Sequence, residues 1–319
     1  MTSDLLTLSP EVADALVEGR PVVALESTLV THGLIPPRNI EAARLAEAAV
    51  RAGGAVPATV AIHGHRILVG LSGAQLDALA AASDPWKAAR HNLAAALGRP
   101  GWSGTTVSAT MIAAHLAGIE VFATGGIGGV HRDGESSMDI SSDLDELART
   151  PVAVVCAGPK SILDVPRTLE ALETRGVPVV GWATDELAGF FSETSGLKTA
   201  IDVADARSAA ALWRRHRALG LTSGMVFAVP LPAASGLPRE EIEIAISQAE
   251  REAVRVGVRG AAATPWILAR LAALTDGRTV DANLALIAND AGIAADLATA
   301  LAALAAVRSG GEPYLDRGA

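Results

Sequence analysis

Cysteine is almost absent from this 319-residue sequence: only Cys156 occurs. No intrachain disulfide can form, and a cytoplasmic location is expected. Lysine is nearly as scarce, since only Lys87, Lys160 and Lys198 stand among 26 basic residues. An arginine guanidinium stays protonated and cannot replace an amine nucleophile, so each lysine merits attention as an amine. Aromatic residues make up 3% of the chain, no Lys/Arg run occurs, and 35 acidic residues against 26 basic ones leave a net charge of −9. That balance excludes the basic, aromatic-interleaved surface that nucleic acid polymers or anionic membranes require. The N-terminus, MTSDLLTLSPEVADALVEG, carries acids where a secretory leader needs positive charge. The most apolar stretch, Leu297–Val307, has 11 residues between Asp296 and Arg308 and is too short to span a bilayer. Low-complexity segments, charge blocks and fixed-period repeats are missing as well.

Half of the residues are apolar and 19% are charged, the composition of a globular protein with a sizeable core. One domain over residues 1–309 is expected, with 310–319 as a flexible tail. Ser9-Pro10-Glu11 predicts a helix start, and Val22 to Leu25 a buried strand. Pro37 to Val50 reads as a helix with Ile40, Leu45 and Val50 on its apolar stripe. Val56 to Ile62 and Ile67 to Leu71 read as a hairpin, and Gly104 to Leu116 as a helix. Strands are expected at Val121–Thr124, Val152–Cys156, Val179–Gly181 and Met225–Val229. Helices at Ile162–Thr174, Ala206–Leu219, Arg239–Val256 and twice near the C-terminus complete the alternation. Such βα repetition implies right-handed crossovers, a largely parallel sheet and ligands at the strand C-terminal ends.

Several segments carry chemistry. The glycine loop Gly125-Gly126-Ile127-Gly128-Gly129 follows a strand, but counting from Gly126 the third fingerprint glycine would be residue 131, which is His131. A dinucleotide fold is therefore rejected, while cradling of some anion stays open. Asp139-Ile140-Ser141-Ser142-Asp143 supplies two carboxylates and two hydroxyls, hard donors for Mg²⁺ or Mn²⁺; Ser141 or Ser142 could equally cap a helix over Leu144–Ala148. Lys160 follows an apolar strand, where desolvation favours the neutral amine that attacks a sugar carbonyl. Glu26 also stands at a strand end and suits a general acid. His32 and His131 are candidates for substrate contact, whereas Trp86, Trp182 and Trp266 read as packing residues.

Six blocks taken together carry more than any one of them: Val23–Thr28, Gly54–Thr59, Thr105–Val107, Thr124–Arg132, Asp139–Asp143 and Val155–Asp164. In this order and spacing the chain resembles the pseudouridine-5′-phosphate glycosidase family over about residues 9–305. The resemblance implies an α/β/α sandwich that forms homotrimers, and reversible cleavage of pseudouridine 5′-phosphate to uracil and ribose 5-phosphate with Mn²⁺. It further implies Lys160 as the nucleophile that forms a Schiff base with ring-opened ribose, Glu26 as proton donor and Asp139 as metal ligand. Lys87, Val107, Ser141, Ser142 and Asp143 would contact substrate.

The chain also departs from that family. After Lys87 the family reads Val-Ser-Arg-Arg-Asp-Leu-Pro, where this chain has Ala88 through Ala94 as AARHNLA, and the usual Asn-Asn pair is Asn289-Asp290. Two alternatives stand beside the glycosidase: a Schiff-base lyase or aldolase on another sugar phosphate, and a non-catalytic sugar-phosphate-binding protein.

Overall fold

The computed structural model of the chain describes residues 4–258 and 263–310. Strands β1 (Leu6–Leu8), β2 (Val22–Leu25), β3 (Val56–His63), β4 (Arg66–Val69), β5 (Trp86–Ala88) and β6 (Ser103–Thr105) come from the first third of the sequence. They are followed by β7 (Val121–Ala123), β8 (Ala153–Cys156), β9 (Val179–Trp182), β10 (Ile201–Val203) and β11 (Met225–Ala228). All join one sheet in the order β1-β4-β3-β2-β7-β8-β11-β9-β10, with β6 branching from β3 and carrying β5. Among the described residues β3 pairs antiparallel with β4 and β6, and the other pairings are parallel.

β2, β8 and β11 are buried along their whole length, which follows when helices cover both faces of a parallel sheet. Alternate side chains feed two cores. Val23, Leu25, Ala123, Val155 and Phe227 pack with the helices Arg38–Ala52, Ala206–Ala218, Arg239–Val256 and Arg278–Gly310. Val22, Ala24, Phe122, Val154 and Cys156 pack on the other side with Pro10–Val17, Val107–Ala117, Ser142–Leu147 and Val165–Thr174. The result is the expected α/β/α sandwich.

Several boundaries differ from expectation for local reasons. Gly104 and Thr105, expected at the start of a helix, belong to β6, which pairs with β3 and β5; the helix starts at Val107, with the Thr106 hydroxyl as its cap. The helix expected from Ile162 begins at Val165, where Asp164 accepts from the Arg167 amide and proline stands in the first turn. On the Arg38–Ala52 helix the buried face is Asn39, Ala42, Ala43, Ala46 and Val50, whereas Leu45 is exposed. Small side chains there let the Arg278–Gly310 helix come close: a Cβ on Gly53 would lie 2.5 Å from Ala295 Cβ.

The 278–310 helix corrects the expectation about membranes. The helix that carries Leu297–Val307 begins at Arg278, and although Asp281, Asp290 and Asp296 interrupt it, among the described residues it is long and apolar enough to cross a bilayer by length and composition. In the fold it is a core helix, with Leu286, Ala291, Ala294, Ala295 and Leu297 fully buried against the sheet and neighbouring helices. Gly310, expected in the tail, is its last residue, and 311–319 lie outside the described residues.

Candidate active site

Three adjacent parallel strands end together. Leu25 of β2 pairs with Ala123 of β7, and Ala123 with Val155 of β8. Glu26, Thr124 with its glycine loop, and the Cys156–Lys160 turn therefore leave the sheet side by side at its C-terminal edge, where open α/β sheets form their crevice. A cavity of about 660 Å³ lies at this edge. The eight residues that the resemblance implies all line it, namely Glu26, Lys87, Val107, Asp139, Ser141, Ser142, Asp143 and Lys160, as do the two histidine candidates His32 and His131.

The glycine loop holds the lysine from two directions. Lys160 Nζ donates to Gly126 O at 2.7 Å, while its main-chain N donates to Ile127 O at 3.1 Å. Glu26 is half-buried, and its two oxygens accept from the hydroxyls of Thr28 and Thr124. Both side chains are thus oriented before any ligand arrives.

Lys87 enters from β5. Asn92 fixes its backbone, donating to Lys87 O at 3.0 Å and accepting from Ala89 N at 2.8 Å. Burial pushes the Lys87 ammonium below the ordinary lysine range, and the charge of Lys160 pushes the same way against Asp143, Glu26 and Asp139. His32 is lowered too, first by burial and then by Lys87. Its Nδ1 sits 2.7 Å from the Thr31 hydroxyl.

The Asp139–Asp143 segment does not act as a pair of free carboxylates. Asp143 is 5% exposed; its Oδ1 accepts from Ser108 N and its Oδ2 from Gly128 N, both at 2.9 Å. It clamps the Val107–Ala117 helix to the glycine loop. Ser141 caps the Ser142–Leu147 helix, accepting from Asp143 N at 3.2 Å, and Ser142 Oγ lies 3.2 Å from Ser108 Oγ. Val107, 1% exposed, opens its own helix.

Asp139 is then the carboxylate of this segment left for a cation. Its Oδ2 lies 4.0 Å from His131 Nε2, and among the described residues no group of three or more His, Cys, Asp or Glu gathers into a metal site. One oxygen donor with one nitrogen donor fits an ion that takes most of its shell from water and substrate oxygens, the habit of Mg²⁺ and of Mn²⁺.

The loop glycines have a packing role. A Cβ on Gly126 would stand 2.5 Å from Phe190 Cε2, and one on Gly128 would collide with Ser141. The Gly128 amide, which an anion would use, is already donated to Asp143. The sequence reading also missed lining residues. Asn283, 7% exposed, and Ile287 reach the cavity from the 278–310 helix, and Phe190, Arg175, Thr264 and Pro265 line it as well. The available signal was an amide inside an apolar helical run.

Comparison with known proteins places this site among others. Residues 11–300 match the family model described as Indigoidine synthase A like protein. The chain is 53% identical over 301 residues to the pseudouridine-5′-phosphate glycosidase of Methylobacterium nodulans, covering 94% of this chain and 89% of that one. It is 52% identical to the protein of the same name from Paracoccus denitrificans, covering 93% and 99%. Among solved structures it is similar to the prealnumycin C-glycosynthase AlnA in complex with ribulose 5-phosphate, with a TM-score of 0.88, 38% identity and 95% and 99% coverage. An indigoidine synthase A-like protein from Thermotoga maritima gives a TM-score of 0.85 at 32% identity, covering 93% and 97%.

Proposed function

The chain belongs to the pseudouridine-5′-phosphate glycosidase family, and we propose that it reversibly cleaves the carbon–carbon glycosidic bond of pseudouridine 5′-phosphate, giving uracil and ribose 5-phosphate. The observation that carries this reading is the shared cavity of an oriented amine, Lys160, and an oriented carboxyl, Glu26, at the ends of neighbouring strands.

The leaving group departs from carbon, so protonating a glycosidic oxygen between two carboxylates does not apply. Glu26 gives a proton to the ring oxygen as the sugar opens. The Lys160 amine bonds to C1′ as the bond to the ring oxygen breaks, and the secondary ammonium so formed returns a proton to the Glu26 carboxylate; the freed nitrogen lone pair then expels the pyrimidine carbon, which takes that proton from Glu26, and an iminium is left at C1′. Water adds to that iminium and releases ribose 5-phosphate with the free amine. Lys87, Ser142 and the start of the Val107–Ala117 helix contact the substrate, and Asp143 holds the helix and loop that frame it. Asp139, with His131, would hold Mn²⁺, which when bound supplies positive charge near the phosphorylated sugar.

A homotrimer of one-domain subunits over residues 1–309 and a cytoplasmic location complete the proposal. The single buried thiol, pushed up to about 12 by burial, makes no demand on an oxidising compartment. A spectrophotometric assay for uracil release from pseudouridine 5′-phosphate, with and without Mn²⁺, tests the function. Release that depends on Mn²⁺ supports it; turnover of simple ketose phosphates without uracil release would favour a different lyase.

A further inference from the structure

One ionisable side chain in the core has no part in the chemistry above. Asp290 lies on the Arg278–Gly310 helix, is 1% exposed, and neither carboxyl oxygen has a hydrogen-bond partner among the described residues. Buried polar atoms are nearly always paired, so an orphaned carboxyl calls for a reason. Its surroundings supply one. The carboxyl faces Cys156, the last residue of β8, and the Ala157 amide that opens the turn to Lys160. That amide is donated elsewhere, to Gly125 O at 3.1 Å. Gly125 leads into the glycine loop and Ala157 into the lysine turn, and the next two residues of the glycine loop, Gly126 and Ile127, accept from Lys160 Nζ and from its main-chain N. Asp290 therefore backs the joint between the glycine loop and the lysine turn.

We propose that Asp290 is a positioning residue, which supports the Lys160 turn from behind and does so only as the uncharged acid. This rests on the assignment of Lys160 as nucleophile. As a neutral group the carboxyl fills its space; as an anion it would stand unpaired in an apolar wall, and helix and turn would have to part to admit water. On the strands packed against this helix the titratable groups are Glu26 after β2, Cys156 in β8 and Lys160 after it, while β7 and its glycine loop bring none. On the adjoining helices Glu47 is taken up by Thr59 and Arg214 by Glu120. None of these forms an ion pair with Asp290.

Burial pushes the Asp290 carboxyl well above the ordinary carboxylate range. The folded state then keeps a proton that the unfolded chain releases. Stability is full below the ordinary carboxylate pKa and falls as pH rises from there toward the folded-state value.

The test compares the full-length protein with its Asp290→Asn and Asp290→Ala variants. Asn has the same shape and no charge to gain. The expected result is a melting temperature for D290N that exceeds that of the unsubstituted protein by a margin widening with pH. Hydrogen exchange of the peptide spanning 153–163, corrected for intrinsic rate, should quicken with pH in the unsubstituted protein but not in D290N. In the uracil assay D290A should lose kcat by about ten- to a hundredfold with KM little moved, through displacement of the amine, and D290N should restore it. A melting-temperature margin that is constant with pH, or identical exchange in the two proteins, would overturn the proposal. Melting and exchange are read without substrate, so a failure of uracil release in the unsubstituted protein would sink the activity and leave the Asp290 test standing.

Discussion

At the scale of single residues, Glu26 and Lys160 matter through the atoms that hold them. Thr28 and Thr124 orient the Glu26 carboxyl, and Gly126 O accepts from Lys160 Nζ at 2.7 Å. Glu26→Gln keeps the size of the side chain but replaces one of the two accepting oxygens with an NH₂ and has no acidic proton to give, so it should lower kcat by ~10²–10⁴ with a smaller effect on KM; steady-state kinetics of uracil release measures this. Lys87 presents the opposite balance. A second ammonium half-buried beside Lys160 costs stability, because both desolvation and like charge act against it. Lys87→Met should therefore raise the melting temperature while weakening substrate binding, read as a higher KM, the trade expected where function keeps a strained charge in place. A fall in melting temperature would show that Lys87 is held mainly by the carboxylates around it.

At the scale of elements, the glycine loop is the part with least room to change. Its carbonyls grip Lys160, Phe190 covers Gly126, and Asp143 reaches across from the next helix to take the Gly128 amide. Gly126→Ala would push a methyl group to 2.5 Å from Phe190 Cε2, so either the ring or the loop must shift. A loss of kcat of about ten- to a hundredfold is expected, at a stability cost of about 1–3 kcal/mol by denaturant melts. The buried strands and the amphipathic helix Arg239–Val256 were legible in the sequence, because an unbroken apolar run and a 3.6-residue period each have one structural meaning at those lengths. The short strands β1, β5, β6 and β10 were not, since each carries a polar residue within three positions and shows neither a period nor an apolar run, whereas β7, equally short, is apolar throughout. Of the site, Lys160 stood out through the scarcity of its residue type. That Asp143 serves two backbone amides, and that Asn283 reaches the cavity from a core helix, depends on contacts between segments far apart in the chain.

At the scale of the whole molecule, one sheet gathers the working residues. β2, β7 and β8 are neighbours in space although about a hundred and thirty residues separate the first from the last, and their common C-terminal edge sets a carboxyl, a glycine loop and an amine in a row. The long C-terminal helix closes this arrangement from beneath, with Leu286 under Gly125 and Asp290 under the lysine turn. The proposed trimer predicts a mass near three times the 32.4 kDa chain in light scattering, and a monomer would remove that element of the account.

The claim on which the mechanism depends is a covalent bond between the Lys160 amine and C1′ of an opened pentose. Borohydride reduction of the enzyme in the presence of ribose 5-phosphate, followed by digestion and mass spectrometry, tests it most directly. The account predicts a stable sugar-phosphate adduct on the peptide that contains Lys160, absent from the Lys160→Arg protein. An unmodified Lys160 peptide at saturating ribose 5-phosphate, or an adduct on Lys87 instead, would contradict it.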